Sequence, residues 1–155
     1  MYRTVQDFLN DWSHSVQGTL RVLQSLTDEK LDQAIVEGHN TLGWLGWHLA
    51  TTPAFFMKMV GLTVVPAGDA IPKKASDIVN AYSKMAEDVK REVEQNLTDE
   101  KMVENVETFA GLSPRGALLR MLIDHQTHHR GQMTVLLRQA GLPVPGVLGP
   151  TKEGN

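Results

Sequence analysis

The residues best suited to chemistry lie in Asp124-His125-Gln126-Thr127-His128-His129-Arg130-Gly131-Gln132, which holds three of the chain's six histidines. His125 and His129 stand four apart. On a helix that spacing puts two imidazoles on one face, a turn apart, where both can bind one ion. A third histidine, His48, lies far upstream in another apolar stretch, Leu42 to Met59. Two ligands from one helix and one from a facing helix would make a three-nitrogen site with an open position, an enzyme's arrangement rather than a structural one. The chain has no cysteine. No thiolate therefore competes as a ligand, no disulfide forms, and any thiol in the chemistry must come from a cosubstrate.

The pattern around these histidines bears on whether they are ligands. Leu118, Leu122, His125, His129, Gln132 and Leu136 follow one another at helical steps of three and four, which predicts a core-facing seam with both imidazoles inside it. Burying two imidazoles and an amide costs free energy unless each finds a partner. One ion would satisfy two ring nitrogens together, and Gln132, one turn on, could hold a bound water or a substrate group. The competing reading is a pair of core histidines hydrogen-bonded to backbone or carboxylates. It is the stronger reading for a lone histidine. A pair at this spacing brings the two level, and His48 shifts the balance toward metal.

On the second apolar segment, Leu45, His48, Thr52, Phe55 and Met59 share a face. Pro53 removes one backbone hydrogen bond and crowds the Leu49 carbonyl, so a kink is expected there. His128 could substitute as a ligand but falls off the stripe and reads as a surface or supporting residue; His14 and His39 read as solvated. Arg130 is expected in an ion pair, or else steering an anionic substrate. Gly131 costs about 1 kcal/mol inside a helix relative to alanine, which close packing against another helix would offset. Trp12, Trp44 and Trp47 read as core or interface residues, with Trp44 or Trp47 at a pocket mouth.

Four helices must position these groups. The first runs from about Thr4 to Leu26. The second runs from Thr41, a plausible N-cap, to Met59. The third starts at Ser76, has Asp77 in its first turn, and continues to Leu97. The fourth starts at Ser113-Pro114, an N-cap followed by proline at the first helical position, and ends at Ala140-Gly141 before Pro143. No strand pattern of any length stands out; Met102 to Phe109 gives weak support for a short extended piece. The fold class is therefore all-α, a four-helix bundle in a single domain over residues 1–155. Residues 142–155 form a non-helical tail whose apolar residues pack on something and whose last five residues fray.

Two further features concern how the helices connect. Val60 to Ala75 is roughly 16 residues long and rich in Gly and Pro. At roughly 3.3 Å per extended residue it can cross the whole bundle, so the second and third helices need not be antiparallel neighbours. Ser25-Leu-Thr-Asp-Glu-Lys-Leu31 after the first helix is echoed by Asn96-Leu-Thr-Asp-Glu-Lys-Met102 after the third. The echo is either common turn-and-cap chemistry or the mark of a duplicated helical hairpin.

Composition narrows the function classes. The chain has 155 residues, 41% hydrophobic and 21% charged, with net charge −3 from 15 basic and 18 acidic residues. These values fit one soluble domain and supply no basic footprint for nucleic acid. No window approaches the roughly 18 apolar residues of a membrane span, and the first residues lack a signal peptide's apolar core. A cytoplasmic location is the simplest expectation.

Gly46-Trp47-His48-Leu49 in the second helix and His125-x-x-x-His129-Arg130-Gly131-Gln132 in the fourth resemble the DinB/YfiT-like proteins. The likeness covers essentially the whole chain in length, helix count and histidine positions, and the His-x-x-x-His-Arg-Gly-Gln string is its specific part. The resemblance implies a four-helix bundle in up-down-down-up order, which the long Val60 to Ala75 connection would suit. It implies a divalent metal, nickel or zinc first and iron or manganese next, held by His48, His125 and His129. It also implies a homodimer. Relatives act as transferases or isomerases dependent on low-molecular-weight thiols, or are described as metal-dependent hydrolases.

The leading expectation is thus a metal-dependent S-transferase or hydrolase acting on a small-molecule substrate, in which water or a substrate thiolate fills the open position. Two alternatives stand beside it. One is a non-catalytic metal-binding or stress-response bundle with a closed, four-ligand site. The other is a helical interaction module, its apolar tail and tryptophans forming a dimer surface, which dispersed and metal-free histidines would favour.

Overall fold

The structure is a computed structural model and describes residues 1–153. Four long helices build the body: α1 (Val5–Gln24), α2 (Leu42–Met59), α3 (Ala75–Asn96) and, following a short α4 (Asp99–Val103) and a hairpin, α5 (Arg115–Ala140). α1 and α2 each pack against both α3 and α5. The core between them is filled by Phe8, Trp12 and Leu23 of α1, Leu42, Leu49 and Met57 of α2, Ile78 and Tyr82 of α3, and Leu119, Leu122 and Met133 of α5. α2 and α3 are direct neighbours despite the long segment between them.

The sequence is legible at several helix ends. Thr4 and Thr41 accept hydrogen bonds from the backbone N–H groups of Asp7 and Trp44, three residues on. Both are side-chain N-caps that satisfy a donor the helix cannot. Gly141 closes α5 at φ 71°, a left-handed conformation that glycine adopts without penalty.

Four expectations change. β1 (Asn105–Thr108) falls within the short extended piece read at Met102 to Phe109, whereas its hairpin partner β2 (Gly111–Pro114) lies where a helix start was expected, so the fold is mostly helical rather than all-α, with five helices among the described residues. Ser113 and Pro114 do not form an N-cap and first helical residue. Pro114 fits either role at φ −64°, but ψ 143° makes it extended, and Arg115 N–H bonds the Glu104 carbonyl. Ser113 instead pairs with Val106 across the hairpin, and Gly111 turns the corner at φ 104°.

The third helix starts at Ala75, not Ser76, because its cap comes from elsewhere. The carboxylate of Asp28, in a short 3-10 turn after α1, accepts from Ala75 N–H at 2.7 Å. The echoed residue Asp99 accepts from Val5 N–H at 2.8 Å. Ala75 and Val5 are the first residues of α3 and α1. Each half of the chain therefore caps the first helix of the other, a reciprocal contact that local turn chemistry does not require and that fits a duplicated hairpin.

The tail is more firmly held than fraying suggests. Val144 is buried and accepts through its carbonyl from Thr151, while Glu153 pairs with Arg138 at 2.6 Å. Gly154 and Asn155, the end of the expected fraying segment, lie outside the described residues. At the start of α5, a Cβ on Gly116 would overlap the Tyr2 carbonyl, whose residue also donates its N–H to Gly116 O. Among the described residues no helix is long and apolar enough to cross a membrane.

Candidate metal centre

α2 and α5 run past one another in opposite directions. Met59 and Leu118 line one cleft, and Leu45 and Leu136 line another, at opposite ends of the contact. Midway between them the three expected histidines meet. One nitrogen from each of His48, His125 and His129 lies within 4.8 Å of the others, and among the described residues no other group of this kind occurs. His128 and His39 are exposed, as is His14.

The arrangement suits one ion. His48 Nε2 and His125 Nε2 face each other at 3.0 Å. Two nitrogens each about 2.0–2.1 Å from a shared ion stand roughly that far apart. The outer nitrogens of two rings are already held: Thr52 Oγ1 lies 3.1 Å from His48 Nδ1 and Gln132 Oε1 lies 2.7 Å from His129 Nδ1. Such contacts fix a ring's tautomer and aim its other nitrogen inward. Thr52 Oγ1 also approaches His48 Nε2 at 3.4 Å, so the hydroxyl sits against the ring edge. His125 Nδ1 is buried with no partner.

Charge state favours the same chemistry. Burial, reinforced by the neighbouring imidazoles, drives His125 down to about 4 from an ordinary 6.5. Burial and His129 also lower His48. Both rings are then neutral near pH 7, with lone pairs free for a metal. Trp44 covers one end of the cluster, its ring stacked on His48 at 4.6 Å and edge-on to His129 at 6.4 Å. At the other end Phe56 stands 5.6 Å from His125. Trp47 does not line this centre: it donates to the Gly68 carbonyl and borders a separate cleft under the segment after α2.

The histidines occupy a groove beside the core, not the core seam. His48, His125 and His129 are half-buried and Gln132 is exposed. The buried seam of α5 instead includes Leu119, Leu122, Gln126, Arg130, Met133 and Leu137. Gln126 is fully buried: its amide donates to the Leu49 carbonyl and accepts from the Tyr82 hydroxyl at 3.0 Å. Leu49 is the residue whose carbonyl Pro53, lacking an N–H, cannot satisfy. Gln126 thus fills a gap that Pro53 opens. It joins the turn after His48 to the turn after His125, holding the two ligand-bearing turns in register.

Arg130 corrects another expectation. Among the described residues it makes no ion pair; burial lowers its pKa, and its guanidinium donates to Ser15 O at 3.0 Å and Thr19 Oγ1 at 3.2 Å on α1. It therefore anchors α5 rather than steering an anion. Gly131 is exposed, and a Cβ there would meet nothing within 4 Å, so close packing does not explain it. The structure gives no reason for this glycine.

Known proteins resemble the chain in sequence and in fold. The DinB family pattern matches residues 1–154. YrdA of Bacillus subtilis (strain 168), described as an uncharacterized protein, is 39% identical over 155 residues, covering 99% of this chain and 93% of YrdA. A DinB-like protein from Bacillus cereus ATCC 10987 has a TM-score of 0.90 and 38% identity, covering 95% of this chain and 99% of the other. The DinB-like protein YjoA of Bacillus subtilis shares the fold at a TM-score of 0.73 and 15% identity, covering 91% and 97%.

Proposed function

The chain belongs to the DinB family, and from that premise we propose that it is a divalent-metal-dependent enzyme acting on a small molecule. Nickel or zinc is the first choice of ion, iron or manganese the next. The observation that carries the reading is the convergence of three imidazoles from two helices, with two of their outer nitrogens already held. Three protein ligands leave a position for substrate, whereas structural sites are usually closed by four. The same count weighs against a purely structural ion, and the gathering of the histidines weighs against a metal-free interaction module.

His48, His125 and His129 would hold a divalent ion, which would supply Lewis-acid chemistry to water or a thiol near neutral pH. The protein's own groups do the positioning. Thr52 and Gln132 orient two rings, Gln126 holds α2 and α5 in register, and Trp44 shields one end from water. With no cysteine in the chain, a thiol would enter as a low-molecular-weight cosubstrate. Thiol-dependent S-transfer is the first reaction to test, hydrolysis the second. A homodimer and the up-down-down-up helix order belong to the same proposal; the opposite run of α2 and α5 suits that order.

The direct test strips the protein with a chelator and restores nickel, zinc, iron or manganese singly. Each form is assayed for thiol transfer to model electrophiles and for ester or amide hydrolysis. Turnover that returns with one ion and is absent in His48→Ala is expected; turnover that ignores the ion contradicts the proposal.

A further inference from the structure

Beside the metal centre lies a cleft of about 270 Å³ between the hairpin, the end of α2 and the start of α5, with Phe55, Phe56, Met59, Phe109, Leu112 and Met121 in its walls. We propose that this cleft seats an uncharged, apolar group of the ligand that enters the three-histidine centre. The inference rests on the metal-enzyme reading above and adds a substrate class to it.

Continuity supports it first. Phe56 belongs to both places, lining the cleft while its ring stands 5.6 Å from that of His125. Met121 precedes His125 by one helical turn. Trp44 closes the opposite end of the histidine cluster, so the groove leads from the centre toward the hairpin. Composition supports it next. No ionisable side chain lines the cleft. Phe109 is 92% exposed, Leu112 71%, and Phe55 and Met121 54% each. Large apolar side chains gathered in water mark a place where something apolar is meant to sit. Size is adequate: an apolar cavity of about 150 Å³ takes benzene, and this one is larger.

The other flank of the groove differs. There Gln132, His39 and Asn40 accompany Ile35, Val135 and the helix side chains around about 220 Å³. An apolar group would therefore discriminate between the two ends, settling on the hairpin side.

The probes are straight-chain thiols from ethanethiol to hexanethiol, added to the full-length chain loaded with cobalt(II). Thiolate ligation produces a charge-transfer absorbance from which affinity is read. Affinity should tighten about fourfold per added methylene until the cleft is full. Leu112→Asp, an exposed position, should flatten the series while leaving thermal stability unchanged. A flat series in the unsubstituted protein overturns the inference and leaves the metal centre standing. So does light scattering that shows a dimer broken by Leu112→Asp, which would assign these side chains to a second copy of the chain. If the chain takes up no cobalt the metal reading fails, and if cobalt is held but no thiol gives a band the thiol reading fails instead. The cleft is then read by NMR from the Met59 and Met121 methyl groups during a toluene titration, and unmoved methyl signals overturn it.

Discussion

Gln126 and Arg130 each follow a histidine of the candidate site on the same helix, yet the two pairs inhabit different regions. The core pair is matched group for group. The Gln126 amide meets Tyr82 and Leu49, and the Arg130 guanidinium meets Ser15 and Thr19. The groove pair is matched only in part: His129 Nδ1 meets Gln132. His125 Nδ1 has no partner, and His125 Nε2 faces the like nitrogen of His48 at 3.0 Å. Two imidazole nitrogens at that distance need a proton or an ion between them. Satisfied polar groups in the interior specify packing. Unsatisfied ones gathered at the edge of the core specify a ligand.

The largest effect expected from breaking this contrast is at Gln126. Gln126→Ala removes a buried side chain and strands the Leu49 carbonyl and the Tyr82 hydroxyl. The cost should be about 3 kcal/mol, read by denaturant unfolding of the metal-free protein. Because the residue also holds the two ligand turns together, metal affinity should fall roughly 10-fold or more under conditions where the variant is folded. A large loss of stability with unchanged metal affinity would confine Gln126 to the core.

Acid should discriminate the regions next. The unfolded His125 ring protonates near 6.5, while the native ring stays neutral down to about 4. Across that window the unfolded state binds the extra proton, so metal-free stability falls as pH drops from about 6.5 to 4. His48, lowered by burial and His129, adds in the same direction. The combined loss should be about 1–2 kcal/mol, a discounted share because the rings are only half-buried. Denaturation midpoints at pH 7, 5.5 and 4.5 measure it, and a flat profile counts against neutral, crowded imidazoles.

The smallest effect should come from His125→Ala in the metal-free protein. It removes an unmatched buried nitrogen, so the change in stability at pH 7 should stay under about 1 kcal/mol, against about 3 kcal/mol for its neighbour Gln126. Much of the acid sensitivity should vanish with it. A cost equal to that of Gln126→Ala would make His125 an ordinary core histidine.

The sequence disclosed the ligand-type groups more readily than their surroundings. His125 and His129 were legible because the i, i+4 spacing acts within one helix, and His48 because it shares an apolar face with Leu45 and Met59. The caps at Thr4, Thr41 and Gly141 are likewise local. Gln126 and Arg130 were missed because a polar residue reads as outward until its partner is known. Their partners lie on other helices: Tyr82 on α3, Leu49 on α2, Ser15 on α1. The signal was present in Leu119, Leu122, Gln126, Met133 and Leu137, a second helical stripe beside the one traced through the histidines. α5 packs on both α1 and α2, so its buried arc is broad enough to hold both stripes. The first strand was faintly legible between Met102 and Phe109, but β2 was hidden because proline's fixed φ suits a helix start and an extended strand end alike. The reciprocal Asp28 and Asp99 caps could be seen only as an echo, since each binds a helix start far away in sequence.

Metal content measures the central claim most directly. Untagged protein and its His125→Ala/His129→Ala variant, purified alike and confirmed folded, should be compared by elemental analysis after equilibration with nickel or zinc. The account predicts close to one ion per chain in the unsubstituted protein and almost none in the variant. Equal occupancy in the two would contradict it.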